Sequence, residues 1–280
     1  MGPPAKRPPV IVIGAHRSGT TATTHALHLM GLQLGQRLDS HHESKALQRL
    51  HETYLKRTGG SWHSPEPFFD WVAQEKGAED CRRYLLDHTQ REFDALFGYR
   101  RNPRGWWLRT RLKCGCAWGW KEPRATLFAL FWLQVFPEAV LIDVIRHPLA
   151  VAFSIREREL KFRAKGDAPR PGLDRLDYCV RLALTYVAAG ESMAARTPNY
   201  RRVRFEDLQS DALSTLEDLA KFCRLQPSPA QMKEAAHSIR PLREPPWSAL
   251  LPEEKEQLGG DVAAVTRLGY EWPTLGKTAA

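Results

Sequence analysis

Short apolar runs alternate along this chain with longer stretches in which apolar residues recur at helical spacing. The clearest runs cover residues 10–13 and 139–145, and two weaker ones cover 117–121 and 200–205. Runs of this length that are rich in Val and Ile are typical of strands buried on both faces of a sheet. Because helical stretches separate the runs, the pattern predicts an α/β fold with a central parallel sheet.

The helical stretches end at recognisable breakers. Gly31, Gly98 and Pro137 each follow a stretch of helical periodicity, which is where a helix is expected to stop. Residues 62–71 are predicted to form a Pro-rich loop that carries an aromatic cluster. The predicted helices cover residues 21–30, 44–56, 78–97, 125–136, 149–160, 174–196 and 211–223, and short helices and loop follow them.

Length and composition favour one soluble domain. The 280 residues are 42% hydrophobic and 26% charged, which is ordinary for a globular protein. We expect a disordered tail over residues 1–9 and a single domain over residues 10–280. No apolar run approaches the length of a transmembrane helix, and the tail does not resemble a signal peptide. The five cysteines lack regular spacing, so reduced thiols and a cytoplasmic location are predicted.

Positive charge is concentrated in two segments of the chain. The formal net charge is +9 at pH 7. Residues 100–124 carry eight Lys or Arg against one acidic residue, and residues 146–175 carry eight against four. A basic surplus indicates a nucleic acid, an anionic membrane surface or a small anionic ligand as partner. These segments carry Lys121, Arg124 and Arg146 at the ends of predicted strands, where ligands bind in such sheets, so the distribution favours a small polyanion.

The turn after the first apolar run has the pattern of an anion-binding loop. Residues 14–21 link a predicted strand to a predicted helix, and successive backbone N–H groups that lead into a helix N-terminus cradle anions. The spacing from Gly14 to Gly19 matches the phosphate loop G-x-x-x-x-G-K-[ST], except that Thr20 replaces the Lys. Arg17 supplies positive charge from inside the loop instead. The predicted anion contacts are His16, Arg17, Ser18, Gly19, Thr20 and Thr21.

This loop resembles the 5′-phosphosulfate loop of sulfotransferases that use 3′-phosphoadenosine-5′-phosphosulfate (PAPS). The Gly-x-x-Arg-Ser-Gly-Thr-Thr form, with Arg17 inside it, is similar to that of the bacterial, Golgi carbohydrate and tyrosylprotein branches. The resemblance covers about residues 10–225 and implies a three-layer, P-loop NTPase-like sulfotransferase fold. It also implies that PAPS is the cofactor, that the desulfated product is PAP, and that no metal is required.

Arg146 and Ser154 form a second match to this family. They lie eight residues apart, directly after the apolar run 139–145, and resemble the pair that binds the ribose 3′-phosphate. The chemistry suits that role, because Arg gives bidentate hydrogen bonds to a phosphate and Ser adds a short donor.

Two further segments follow the family's order. Lys121 and Arg124 lie in a Lys-Glu-Pro-Arg turn that is similar to the Lys-Asp-Pro-Arg turn of bacterial sulfotransferases. The resemblance implies that Lys121 faces the transferring sulfuryl group and that Arg124 is a second anion contact, while Glu122 is expected to orient Lys121 or Arg17. Phe205 takes the place of a family Tyr and is expected either to border the adenine or to be a core aromatic.

Glu43 is the candidate general base, which would take the acceptor's proton. It follows the first helix, as the catalytic Glu of the tyrosylprotein branch does, so the implied catalytic set is Arg17, Lys121 and Glu43. The alternative is structural, because residues 40–43 have the pattern of a capping box with Glu43 at its third helical position. The remaining candidates for the base are His16, His41 and His42.

These matches imply in-line transfer of a sulfuryl group from PAPS to a hydroxyl or amine of a small-molecule or glycan acceptor. No nucleic acid and no membrane span are expected, and the oligomeric state is left open. Aromatic-rich insertions near residues 60–75 and 99–116 are expected on the acceptor side. Two alternatives stay open. A P-loop kinase or NTPase is supported by Asp143 in its apolar run, and a basic nucleic-acid-binding protein by the Arg and Trp residues of 100–120.

Overall fold

A four-stranded parallel sheet forms the centre of the molecule. The computed structural model describes residues 6–36, 38–99, 102–241, 250, 254 and 258–272. The strand order is β2-β1-β3-β4, and every neighbouring pair is parallel. The predicted α/β fold, with a central parallel sheet flanked by helices, is confirmed. The strands are β1 (Val10–Ile13), β2 (Gly119–Lys121), β3 (Val140–Ile145) and β4 (Tyr200–Arg204).

Side chains of β1 alternate between two hydrophobic cores. Ile11 and Ile13 pack into a core on one face of the sheet, while Val10 and Val12 pack into a core on the other. All four side chains are at most 2% exposed, which is why the strand has no polar positions. Since all four strands are parallel, their carboxyl ends share one edge, and ligands bind there in α/β folds.

Helices cover both faces of the sheet. Those that contribute to the core with Ile11 and Ile13 are α2 (Lys45–Arg57), α3 (Glu66–Val72), α4 (Glu75–Leu96), α5 (Pro103–Lys113), α6 (Ala129–Val135), α7 (Pro148–Arg163) and α8 (Leu176–Glu191). Those that contribute to the core with Val10 and Val12 are α1 (Thr20–Leu29), α9 (Phe205–Ser210), α10 (Ala212–Phe222) and α11 (Pro229–Ser238). A last short helix, Val262–Arg267, packs beside Ile145 and Val187.

Three element predictions were wrong in detail. The helix predicted over 125–136 divides into a 3₁₀ turn, Pro123–Thr126, and α6. The loop predicted over 62–71 contains α3, in which a Pro occupies a tolerated position in the first turn. Helix α5 was not predicted, although Asn102 and Pro103 are a favourable N-cap and first residue, and Asn102 Oδ1 accepts from Gly105 N at 2.7 Å.

The predicted disordered tail falls partly outside the described residues. Residues 1–5 lie outside them, so for these the tail stays a prediction. Pro9 is buried, and Arg7 Nη2 donates to the carbonyl oxygens of Cys223 and Arg224 at 3.1 and 3.0 Å. The backbone N–H of Lys6 donates to Leu112 O at 3.2 Å, so the chain contacts the domain before β1 begins.

Candidate active site

The loop between β1 and α1 is held in a fixed shape by its glycines. Gly14 has φ 141°, and a Cβ there would lie 2.3 Å from Val144 O, so only glycine fits. Thr126 fastens the loop from the turn after β2, because its Oγ1 accepts from Gly14 N at 2.8 Å and donates to Gly14 O at 3.1 Å. The loop is thereby linked to the ends of both neighbouring strands.

Gly19 begins α1 without a side-chain cap. It has φ 101°, and the first turn of this ten-residue helix contains no acidic residue. Uncapped N–H groups and the positive end of the helix dipole together attract an anion. The backbone of residues 18–21 therefore has the geometry of an anion cradle.

Arg17 connects this loop to α7. It adopts a left-handed backbone conformation (φ 73°), and its Nε donates to Ser154 Oγ at 2.8 Å. Arg146, at the end of β3, donates through Nη1 to Arg17 O at 3.4 Å. The predicted pair Arg146 and Ser154 thus meets around Arg17. Burial, with a further contribution from the Arg17 charge, lowers the pKa of Arg146, although Glu206 opposes the shift.

Phe205 closes one side of the same region. Its ring packs so tightly on Gly19 that a Cβ there would lie 2.2 Å from it, and the Arg146 guanidinium lies 5.8 Å from the ring centroid. A cleft of about 470 Å³ opens beside these groups. Motif comparison did not indicate Arg240, His25 or the cleft position of His42. The cleft is lined by Arg17, Gly19, Thr21, Ala22, His25, His42, Arg146, Phe205 and Arg240.

Lys121 lies at the centre of the site and is fully buried. Its Nζ donates to Glu43 Oε1 at 2.6 Å and to Thr21 Oγ1 at 3.0 Å, so it joins the loop to the segment before α2. Burial lowers the pKa of Lys121, and the carboxylate of Glu43 opposes that shift. The other carboxylate oxygen of Glu43 accepts from Gln48 Nε2 at 2.8 Å.

Glu43 does not act as a helix cap. Helix α2 begins at Lys45, and Ser44 is its N-cap, with Oγ accepting from Leu47 N at 3.4 Å. The capping-box interpretation of residues 40–43 is therefore wrong. Asp39 instead accepts the backbone N–H groups of His41 and Glu43, at 2.8 and 2.9 Å. This Asp39 turn leaves the Glu43 carboxylate directed at Lys121.

The residues after Lys121 form a buried ionic network. Glu122 is fully buried and accepts from His51 Nδ1 at 2.6 Å and from Arg124 Nη1 at 2.5 Å. His51 Nε2 accepts from Trp132 Nε1 at 3.0 Å, so the His51 proton is on Nδ1. Although burial opposes it, the Arg124 charge and the His51 hydrogen bond lower the pKa of Glu122 to about 2. The expectation that Glu122 orients Lys121 or Arg17 is wrong, because it holds Arg124 and His51.

Arg124 is anchored by this network through two of its five N–H donors. Nη1 donates to Glu122, and Nη2 donates to Glu52 at 2.6 Å. Its Nε is buried and has no hydrogen-bond partner among the described residues. The guanidinium therefore keeps donors that no described residue uses.

His16 and Trp62 form an aromatic wall next to the loop. Their ring centroids are 4.4 Å apart, and Tyr186 fixes the Trp62 segment by donating to Trp62 O at 2.8 Å. Burial, followed by the charges of Arg124 and Arg158, holds the pKa of His16 well below its usual range, so the imidazole is neutral. His16 Nε2 is buried and has no partner among the described residues. The side chain of His16 therefore presents an unsatisfied polar atom.

Arg158 is a cation that motif comparison missed. It lies one turn beyond Ser154 on α7, and this i,i+4 spacing was the available signal. Its guanidinium lies 5.3 Å from the Trp62 ring centroid and has no hydrogen-bond or ion-pair partner within the described part of the chain. Burial and the charges of Arg17 and Arg170 lower the pKa of Arg158 to about 10. The aromatic wall thus ends in an uncompensated positive charge.

Asp143 does not have the surroundings of a magnesium ligand. It is fully buried, and its Oδ2 accepts from Tyr200 OH at 2.6 Å and from Arg202 Nε at 3.0 Å. Its Oδ1 lies against Gly190 of α8, where a Cβ would approach within 2.7 Å. Burial raises the pKa of Asp143, although Arg202 opposes the shift. The feature that supported a P-loop kinase therefore belongs to the packing of β3 on α8 and β4.

An anion-binding loop between a buried strand and a helix places the protein in the P-loop-like class of α/β folds. A family model described as sulfotransferase family matches residues 8–229. The chain therefore belongs to the sulfotransferase family, and the protein is a transferase enzyme.

One solved sulfotransferase structure shares the fold, and others are similar over most of their length. The sulfotransferase domain from the curacin biosynthetic pathway is 14% identical, with 96% of this chain and 100% of that chain covered and a TM-score of 0.51. A sulfotransferase from Alicyclobacillus acidocaldarius is 15% identical, with 96% and 98% covered and a TM-score of 0.49. Mouse sulfotransferase SULT7A1, solved with PAP, is 10% identical, with 95% and 90% covered and a TM-score of 0.48. No curated protein sequence matches the chain.

Neither a membrane-spanning helix nor a cluster of metal ligands is found among the described residues. No helix among them is both long and apolar enough to cross a bilayer. The same residues contain no group of three or more His, Cys, Asp or Glu side chains arranged to hold a metal ion.

Proposed function

We propose that the protein transfers the sulfuryl group of PAPS to a hydroxyl or amine of a small-molecule or glycan acceptor. The observation that carries the proposal is the position of Lys121. Its ammonium group contacts Thr21 of the anion loop on one side and Glu43 on the other. In-line transfer requires a cation beside the leaving phosphate and a base that takes the proton of the acceptor. Lys121 lies between the anion loop and a carboxylate that can be this base.

The residues present fit PAPS. Buried polar atoms without partners among the described residues include Ser18 Oγ and Arg146 Nε, and the N-terminus of α1 has no cap. In the proposal, residues 16–21 hold the 5′-phosphosulfate, Arg146 and Ser154 hold the 3′-phosphate, and Phe205 borders the adenine. Arg17 and Arg240 line the cleft and add positive charge to it, and Arg124 is proposed as a second anion contact.

Two sets of residues are proposed to assist the transfer: Lys121 with Arg17, and Glu43. PAPS supplies an activated sulfuryl group. Lys121 and Arg17 offset the negative charge that develops on the leaving phosphate side, which costs no reorganisation because both are already in place. Glu43 takes the proton of the acceptor. Because Lys121 contacts Glu43 directly, one ammonium group orients both the base and the loop.

The acceptor is proposed to lie along the wall formed by His16, Trp62 and Arg158. Trp62 offers a ring face for a sugar, a phenol or another flat group. His16 Nε2 offers a hydrogen bond that no described residue satisfies. Glu43 lies within the electrostatic reach of Arg158, so the wall and the proposed base belong to one site.

Ligand binding tests the cofactor assignment. PAP at about 100 Kd is expected to stabilise the protein by roughly 2.7 kcal/mol and to raise Tm by a few degrees, in the presence of EDTA. The measurement is a thermal shift with PAP and with Mg-ATP in parallel. A shift with Mg-ATP and none with PAP would reject the sulfotransferase proposal in favour of a P-loop kinase.

Arg146→Ala is expected to weaken PAP binding by at least about 30-fold, because a bound phosphate loses a partly buried guanidinium partner. Isothermal titration calorimetry measures this change. Arg196→Ala, an exposed arginine, is the control and is expected to keep the wild-type Kd. An unchanged Kd in Arg146→Ala would remove the 3′-phosphate assignment while leaving the family intact.

A further inference from the structure

Helix α5 carries an exposed aromatic pair. Trp106 is 68% exposed and Trp107 is 52% exposed, and they are the two most exposed large hydrophobic side chains in the described part of the chain. The opposite face of the helix is buried through Gly105, Leu108 and Leu112. The helix is therefore anchored to the domain by one face while both indole rings remain in solvent.

Basic residues share helix α5 with the two rings. Arg104, Arg111 and Lys113 lie on α5 without an ion-pair partner among the described residues, and Arg111 lies 4.8 Å from the Trp107 ring centroid. Arg109 is the exception, because it pairs with Asp94. Helix α5 contains no acidic residue. Its exposed surface thus combines indole rings with uncompensated positive charge.

This surface lies away from the proposed cofactor cleft. The carbonyl oxygen of Leu112 accepts from the backbone N–H of Lys6, which precedes β1. Strand β2 is parallel to β1 and ends at Lys121. The end of α5 therefore lies near the amino ends of the strands, whereas Lys121 lies at their carboxyl ends. No residue of α5 lines the cleft of Arg17, Arg146 and Phe205, and the acceptor-side placement of residues 99–116 stays a prediction.

We propose that the exposed face of α5 docks on an anionic lipid bilayer surface. Indole rings partition to the headgroup level of a bilayer, and Lys and Arg beside them bind anionic headgroups. Single-stranded nucleic acid also binds indole rings and cations, so it is a competing occupant in the test below. A domain docked through α5 keeps the cleft at the other edge of the sheet open to solvent.

Vesicle flotation tests this proposal with the full chain. We expect wild-type protein to float with vesicles of phosphatidylcholine and phosphatidylglycerol and not with phosphatidylcholine alone. Binding is expected to fall when salt is raised from about 0.1 M to about 1 M, since the Debye length shrinks from about 10 Å to about 3 Å. Arg104→Glu combined with Lys113→Glu is expected to lower the partition coefficient at least about 25-fold, at about fivefold per cation removed. Trp106→Ala combined with Trp107→Ala is also expected to lower it.

Matched controls separate the α5 face from general surface properties. Leu160→Ala with Leu213→Ala removes the next most exposed large hydrophobics, and Lys221→Glu with Lys233→Glu reverses two charges elsewhere. Both control pairs are expected to bind vesicles as wild type does, and all variants should keep wild-type PAP affinity, which shows that they fold. Three results would overturn the proposal: no vesicle binding by wild type, equal loss in the controls, or binding only to heparin or RNA. If light scattering shows a dimer, and Trp106→Ala with Trp107→Ala makes it monomeric, the face would instead be a contact with a second copy of the chain.

Discussion

Glu43→Gln is expected to lower kcat by roughly 10²–10⁴-fold, the range found when a general base is removed. The substitution keeps the shape of the side chain and its hydrogen bond from Lys121, but it removes the group that accepts the acceptor's proton. PAP affinity is expected to stay close to that of wild type, because Glu43 contacts Lys121 and Gln48 rather than the residues proposed to hold the nucleotide. Steady-state kinetics with an identified acceptor, together with calorimetry for PAP, measures both quantities.

Glu52→Gln is the matched control for that variant. Glu52 lies on α2, next along the chain from the Glu43 segment, and pairs with Arg124 at 2.6 Å. Because Arg124 keeps Glu122, losing the Glu52 charge is expected to change kcat far less than Glu43→Gln does. Wild-type turnover in Glu43→Gln would reject the base assignment and direct attention to the neutral His16.

Lys121→Met is expected to lower kcat by about 10²–10³-fold, as removal of one preorganised charge-stabilising donor does. Met fills the buried path of the aliphatic stem but supplies no ammonium group to the leaving phosphate side. The variant is also expected to be less stable than wild type, because Glu43 is 8% exposed and would keep only Gln48 as a side-chain partner. Chemical denaturation measures the stability loss separately from the kinetic one.

Lys113→Met controls for removal of a positive charge alone. Lys113 is exposed at the end of α5, so its loss is expected to leave kcat at the wild-type value. A Lys121→Met enzyme that keeps wild-type kcat would show that the ammonium group only fastens Glu43 to Thr21. The proposed charge stabilisation would then rest on Arg17.

The location of the site could be predicted from the sequence because it depends on strand ends. Val10–Ile13 and Val140–Ile145 are clear apolar runs, and Gly119–Lys121 lies in the weaker run 117–121. Parallel strands bring their carboxyl ends together. Arg17 and Lys121 follow from that rule, since each lies at or just beyond the end of its strand. Their expected roles came from the family resemblance, because hydrophobic periodicity indicates secondary structure and not the role of a side chain.

The hydrogen-bond partners of Arg124 and Glu122 could not be predicted from the sequence, because they lie in distant parts of the chain. Arg124 binds Glu52, which is 72 residues away, and His51 reaches Glu122 across a similar distance. The capping-box interpretation failed because Asp39 accepts the Glu43 N–H that it assigned to Ser40, and because Ser44, not Ser40, caps α2. The position of Arg158 on α7 does not by itself indicate a site residue. Arg158 belongs to the site because its guanidinium lies over Trp62, which packs on His16.

Transfer of label from ³⁵S-labelled PAPS tests directly whether the protein is a PAPS-dependent sulfotransferase that uses Glu43 and Lys121. Wild-type protein is incubated with the labelled cofactor and a panel of phenols, aliphatic alcohols, amines and glycans, in EDTA. We expect wild type to move label to at least one acceptor class, and Glu43→Gln and Lys121→Met, each with PAP affinity retained, to do so at least about 100-fold more slowly. Label that stays on PAPS across the whole panel, in a wild-type protein that binds PAP, would contradict the proposed function.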